Sequence, residues 1–132
     1  MTDFRNLDTF TRGYIECALW SSVGDSDDEG LGITDSTVPE DISEECLKQM
    51  VADCAKFQAE NEDALNLAYL SESVIYSESR AGHDFWLTRC GHGAGFWDGD
   101  LPEEVGEVLT DAAKKYGNID LYRGDDGFVY GA

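Results

Sequence analysis

The eighteen residues from Ala81 to Asp98, Ala-Gly-His-Asp-Phe-Trp-Leu-Thr-Arg-Cys-Gly-His-Gly-Ala-Gly-Phe-Trp-Asp, constrain the fold more than any other stretch. They hold four aromatics, both histidines and four internal glycines. Phe85, Leu87 and Arg89 alternate with Asp84, Trp86 and Thr88, the two-residue period of a strand, and Cys90-Gly91 supplies a tight turn. Gly93 to Trp97 then reads as the returning strand. In that register Phe85 faces Phe96, Trp86 lies over Gly95, His83 stands opposite Asp98 and His92 opposite Arg89. The expected unit is an aromatic hairpin whose glycines let rings lie against bare backbone.

The chain ahead of it, residues 1–79, reads as mainly helical. Asp8 caps a first helix that carries Phe10, Tyr14, Cys17 and Ala18 at three-to-four spacing and ends near Ser22; Gly13 inside it marks close packing. Residues 24–42 hold Asp25, Asp27, Asp28, Glu29, Asp35, Glu40 and Asp41 without one basic residue, and read as an acidic loop. Ser43, Glu44 and Glu45 start a second helix with Leu47, Met50, Val51, Cys54 and Phe57 on one face. Asn61 caps a third, from Glu62 to about Glu78, apolar over a wide arc.

Beyond the hairpin, Asp100, Pro102, Glu103 and Glu104 at one end and Lys114, Lys115 and Gly117 at the other bracket a fourth helix. Its stripe is Val105, Val108, Leu109, Ala112 and Tyr116. Ile119 to Arg123 and Phe128 to Tyr130, joined by Gly124-Asp125-Asp126-Gly127, read as a second hairpin. The expected fold is one α+β domain over residues 1–132. Three N-terminal helices pack with a C-terminal ββαββ unit, residues 80–132, that forms a small antiparallel sheet.

Charge narrows the function classes. Nine basic residues against 28 acidic ones give a net charge of −19. Phosphate binding depends on Lys and Arg releasing counterions, so such a chain repels nucleic acid and anionic membranes on its own account. A solubilising surface, adaptation to high salt, or an anionic face for a basic partner remain. The cysteines and large aromatics disfavour the second. Cys17, Cys46, Cys54 and Cys90 lack any Cys-x-x-Cys spacing. With no signal-peptide-like start and no apolar run near about 20 residues, they read as reduced thiols of a cytoplasmic protein.

Each motif has a bland reading beside the sharp one. Asp25, Asp27 and Glu29 followed by Gly30 place oxygen ligands at alternate positions, as a calcium loop needs, but position twelve is Ser36 where a bidentate Glu is required. A solvated acidic loop is the simpler account, and no cofactor or metal is expected. His83, Asp84 and His92 invite an acid–base reading, and Cys90 beside Arg89 an activated thiolate. The hairpin register holds the two imidazoles at opposite ends, so satisfied structural side chains are the simpler account. Gly91-x-Gly93-x-Gly95 has the composition of a phosphate cradle without the helix N-terminus that would hold the anion. Glu103, Glu107 and Asp111 lie at successive i+4 positions, roughly 6 Å apart along one helical ridge, near the phosphate spacing of a nucleic-acid strand.

Gly82-His83-Asp84-Phe85-Trp86-Leu87-Thr88-Arg89, Gly91-His92-Gly93-Ala94-Gly95-Phe96-Trp97-Asp98, Asp120-Leu121-Tyr122 and Gly124-Asp125-Asp126-Gly127 together resemble a family of small acidic proteins of tailed bacteriophages and prophages. Phe10-Thr11-Arg12-Gly13-Tyr14-Ile15-Glu16 and Ala18-Leu19-Trp20-Ser21-Ser22 are similar too. The chain departs from the pattern at Cys90, where the family has asparagine before the glycine, and over Leu65 to Glu78. The resemblance implies a phage context and supplies no mechanism or site residues. The expectation is an accessory protein in the host cytoplasm that binds a basic host protein, a DNA mimic of anti-CRISPR-like or anti-restriction-like kind. Asp25, Asp27, Asp28, Glu29, Glu103, Glu107 and Asp111 would make the contact. The alternatives are a small enzyme or ligand-binding domain centred on residues 81–98, and calcium binding in the loop 25–36.

Overall fold

The computed structural model describes residues 4–22, 37–70, 76–91, 95–96 and 101–131. These form five helices and a two-stranded antiparallel sheet: α1 (Thr9–Ser21), α2 (Glu44–Glu60), α3 (Glu62–Tyr69), α4 (Glu78–Arg89), α5 (Glu103–Lys114), β1 (Leu121–Arg123) and β2 (Val129–Gly131). The architecture is α+β and mostly helical.

The aromatic stretch is not a hairpin. Residues 81–89 belong to α4, and Gly95 and Phe96 lie in a bend and turn rather than a strand. The expected ββαββ unit is therefore corrected to helix, helix and one hairpin, and the cross-strand register of Phe85 with Phe96 and His83 with Asp98 falls with it. The physical reason is burial on nearly every side. Ala81, Gly82, Asp84, Phe85, Trp86, Thr88 and Arg89 are all buried, so α4 has no polar face to display a helical period. Its ends are ordinary: the Ser77 side chain accepts from the Arg80 N–H at 3.1 Å, and Arg89 stands in the last turn.

α4 packs chiefly against α1, through two glycines. A Cβ on Gly82 would lie 2.1 Å from the Phe10 carbonyl oxygen, and one on Gly13 would lie 2.3 Å from that of Ser79. The two backbones thus touch, as Gly13 had indicated. Above this contact Phe57 of α2 stacks on Phe85 at 4.1 Å between centroids, with Phe10, Tyr14, Phe96 and Tyr116 around the pair. Trp86 meets Tyr14 edge-on and donates its indole N–H to Ser21 Oγ at 2.7 Å.

Arg89 ties four elements together. Its guanidinium donates to Asp53 Oδ2 of α2 (2.9 Å), the Tyr14 hydroxyl of α1 (3.1 Å) and the carbonyls of Tyr116 (2.9 Å) and Gly117 (2.8 Å). The last two close the end of α5, where Gly117 adopts φ +76°, so the buried cation also meets the negative end of that helix.

The remaining elements follow their sequence signals, with adjustments. Asp8 Oδ1 accepts from the Thr11 N–H and Ser43 Oγ from the Cys46 N–H, capping α1 and α2. Asn61 turns its side chain back to the Phe57 carbonyl and closes α2 instead of capping α3. The third helix ends at Tyr69, not near Glu78. In α5 the buried stripe is Val105, Gly106, Leu109, Thr110 and Ala113, and Val108 is 52% exposed. β1 and β2 pair with Tyr122 opposite Tyr130, and Ile42 adds a single parallel bridge to Val129. No helix among the described residues is long and apolar enough to cross a membrane.

Candidate functional site

α5 presents the acidic ridge on a groove of about 490 Å³, lined by Glu103, Glu107 and Asp111 together with Phe96, Leu101 and Thr110. Local sequence sets its form. Pro102 and the acids Glu103 and Glu104 suit the positive end of a helix, and the i+4 spacing then stacks the three carboxylates along one edge. Gly106 lets α5 settle on the backbone of Phe96, since a Cβ there would lie 2.8 Å from the Phe96 carbonyl oxygen. Phe96 is fixed in turn by its N–H, which donates to Thr88 Oγ1 at 3.2 Å.

Glu103, Glu107 and Asp111 are exposed, and none takes part in an ion pair among the described residues. Between Arg89 and Lys114 the sequence has no lysine or arginine, so only Asp111 has basic residues, Lys114 and Lys115, within one turn of it. Thr110 is buried, and its Oγ1 has no hydrogen-bond partner among the described residues. A buried hydroxyl left unpaired costs about 1–3 kcal/mol. Among the described residues the groove thus joins three carboxylates outside any ion pair with two apolar side chains, Phe96 and Leu101, over the buried Thr110. Carboxylates spread along a ridge do not converge on one point, and no group of three acidic, histidine or cysteine side chains among the described residues could hold a metal ion.

The other sequence candidates are placed as follows. Asp25, Asp27, Asp28 and Glu29, and with them the calcium loop through Ser36, lie outside the described residues, as do His92 and Asp98. His83 and Asp84 are successive residues of α4, so their side chains leave the helix about 100° apart. His83 is half-buried, and burial lowers its pKa, with Glu16 opposing the shift. Asp84 is buried and accepts the Tyr76 hydroxyl. Burial, reinforced by Asp84, pushes the Tyr76 phenol well above its usual value. This pair ties the residue ahead of the Ser77 cap to the middle of α4.

The idea of an activated Cys90 is also corrected. Burial raises its pKa, its thiol reaches the Ile119 carbonyl at 3.7 Å, and the Arg89 cation is committed to Asp53, Tyr14 and the end of α5. Burial likewise raises Cys17 to about 12 and Cys46 to about 11. The thiols are small hydrophobes.

Sequence reasoning found the ridge but not the groove. Gly106 and Thr110 were legible in principle, because positions 103, 106, 107, 110 and 111 share one helical face. Phe96 and Leu101 carried no such signal. No protein-family model, curated protein or solved structure matches this chain. Geometry and charge therefore carry the reading of the site.

Proposed function

We propose that this is a phage-encoded accessory protein that acts by binding a basic host protein, occupying a Lys- and Arg-lined nucleic-acid channel as a DNA mimic. The phage context comes from the sequence resemblance. The observation that carries the binding mode is the α5 ridge: Glu103, Glu107 and Asp111 stand in a row beside one groove, and none of them is in an ion pair among the described residues. Steps of roughly 6 Å between carboxylates match a row of phosphates closely enough for guanidinium and ammonium groups to exchange one for the other. The target class is a defence nuclease of restriction or CRISPR type, whose channel has the required charge.

The test is capture of partners from bacterial lysate at low and raised salt, identification by mass spectrometry, and competition with duplex DNA. The expected partner is a basic nucleic-acid enzyme that raised salt and duplex DNA both release, and whose activity the protein inhibits. Charge reversal by Glu103→Lys, Glu107→Lys and Asp111→Lys should abolish the capture. A partner indifferent to salt, to DNA and to these substitutions would defeat the proposal.

A further inference from the structure

A second cleft, of about 680 Å³, opens where the turn at Pro39–Asp41 and the first turn of α2 meet the end of the C-terminal hairpin. Its apolar part comprises Phe4, Ile42, Leu47 and Phe128. Ile42 and Leu47 are buried, Phe4 is half-buried and Phe128 at the rim is 48% exposed. Among the described residues the cleft is lined by four carboxylates, Glu40, Glu44, Glu45 and Asp126, and by one cation, Arg5. Four negative charges less one positive leave a local balance of −3. Asp126 is held in place, one oxygen accepting from the Phe128 N–H at 3.0 Å and the other from the Tyr130 hydroxyl.

Acids in the first turn of a helix usually only offset its dipole, and Glu44 also reaches Lys48 at 3.9 Å. That account covers Glu44 and Glu45. It leaves Glu40 and Asp126, which come from elsewhere in the chain, and it leaves the exposed phenyl ring. An anionic rim around an apolar floor is complementary to a segment that is itself both basic and apolar. Nucleic acid and anionic lipid carry the wrong charge for it.

We propose that this cleft binds a short basic segment of a partner protein, one large apolar side chain resting on Phe4, Leu47 and Phe128 while Lys or Arg groups meet Glu40, Glu44, Glu45 and Asp126. The inference rests on the reading that the protein binds a basic partner, and it adds the means of choosing one. A ridge of carboxylates attracts any polycation; a buried apolar anchor discriminates between them. Aromatic faces at the rim also favour a cation laid across them.

Fluorescence anisotropy with two labelled probes tests this, namely nona-arginine and the same nonapeptide with two arginines replaced by phenylalanine. The cleft predicts that the phenylalanine-containing probe binds about tenfold more tightly, the worth of one well-seated anchor. Phe128→Ser should remove that preference without changing nona-arginine affinity. The exposed pair Glu40→Gln and Glu45→Gln provides a second variant should Phe128→Ser fail to fold, and it should weaken the phenylalanine probe more than nona-arginine. Neutralising the ridge with Glu103→Gln, Glu107→Gln and Asp111→Asn should weaken both probes and leave the preference intact. Equal affinity for the two probes, or a preference that survives the cleft variants, overturns the cleft while leaving the ridge standing. Unchanged binding of both probes by the ridge variant, with the preference retained, counts against the ridge alone.

Discussion

Replacing Gly82 by alanine measures the contact on which the fold turns. An alanine Cβ would stand 2.1 Å from the Phe10 carbonyl oxygen and 2.7 Å from the Tyr14 nitrogen, where ordinary contact begins at 3.4 Å. The difference, 3.4 minus 2.1, requires α1 and α4 to separate by about 1.3 Å, because both neighbours are backbone and cannot rotate aside. A gap of that order forfeits a large share of the dispersion contact across the interface, and overpacking of this kind costs about 1–3 kcal/mol or more. Alanine regains about 1 kcal/mol of helix propensity. Because the clash is with backbone the upper figure applies, and about 3 less about 1 leaves a net destabilisation of about 2 kcal/mol. At about 2.1 cal/mol/K per residue, 132 residues give an unfolding entropy near 0.28 kcal/mol/K, so Tm should fall by about 7 °C. Thermal unfolding followed by circular dichroism reads this directly. Gly13→Ala should act on the same interface, and the double variant should cost less than the sum because the helices need separate only once. A Gly82→Ala protein as stable as the parent, or more so, would refute the reasoning, since that is how alanine behaves on a free helical surface or in no helix contact at all.

Arg89→Met should cost about 3–5 kcal/mol in urea unfolding, because it strands Asp53, the Tyr14 hydroxyl and two carbonyls at the end of α5; a cost below about 1 kcal/mol would show that the guanidinium does not close that junction. For His83 the folded pKa lies below the ordinary 6.5, so the unfolded chain binds more protons as pH falls through and below that value. Stability should therefore decline on acidification from about pH 6.5, and His83→Gln should flatten that part of the profile; an unchanged slope would contradict it. Asp8 has the same sign in a more acidic window: burial alone would raise its pKa, but hydrogen bonds from Thr11 and Gln58 hold it below 3.8. Its stabilisation is present above pH 3.8 and lost as pH falls through the lower folded value, so Asp8→Ala should matter at pH 7 and not in strong acid. The native thiols should react slowly with a thiol reagent at pH 7, the fully buried Cys17 and Cys54 slowest, and rapid stoichiometric labelling of those two before unfolding would contradict their burial.

Most of the helices were legible because their caps and stripes are local. Asp8 and Ser43 cap where a side-chain oxygen precedes an apolar period, α5 is bracketed by acids and by Gly117, and the turn at Gly124–Gly127 announces the hairpin. α4 was misread for a physical reason. Asp84, Thr88 and Arg89 are polar yet buried, each engaged by a partner distant in sequence or across a turn, so polarity no longer marks the exposed face. The alternation from Asp84 to Arg89 was a coincidence of that burial. Ser77 as cap, twelve residues of helix-compatible length and Ala81-Phe85-Arg89 at i+4 were the signals for the helix, and glycine content outweighed them. The ridge on α5 could be read because i+4 arithmetic needs only the helix. The cleft beside Phe128 could not, since it is assembled from Phe4 and Arg5 ahead of α1, the turn before α2 and the final hairpin.

The claim that one ridge, and not the net charge of −19, carries the binding is tested by comparing two triple variants of equal charge. One is Glu103→Gln, Glu107→Gln and Asp111→Asn; the other is Glu16→Gln, Glu78→Gln and Asp120→Asn, at exposed positions away from the groove. Each removes three negative charges. The dissociation constant for the captured basic partner, measured at one fixed salt concentration, should rise at least tenfold for the ridge variant and stay within about twofold of the parent for the other. Equal weakening by both would mean that charge acts in bulk, and no weakening by the ridge variant would mean that α5 is not the binding surface.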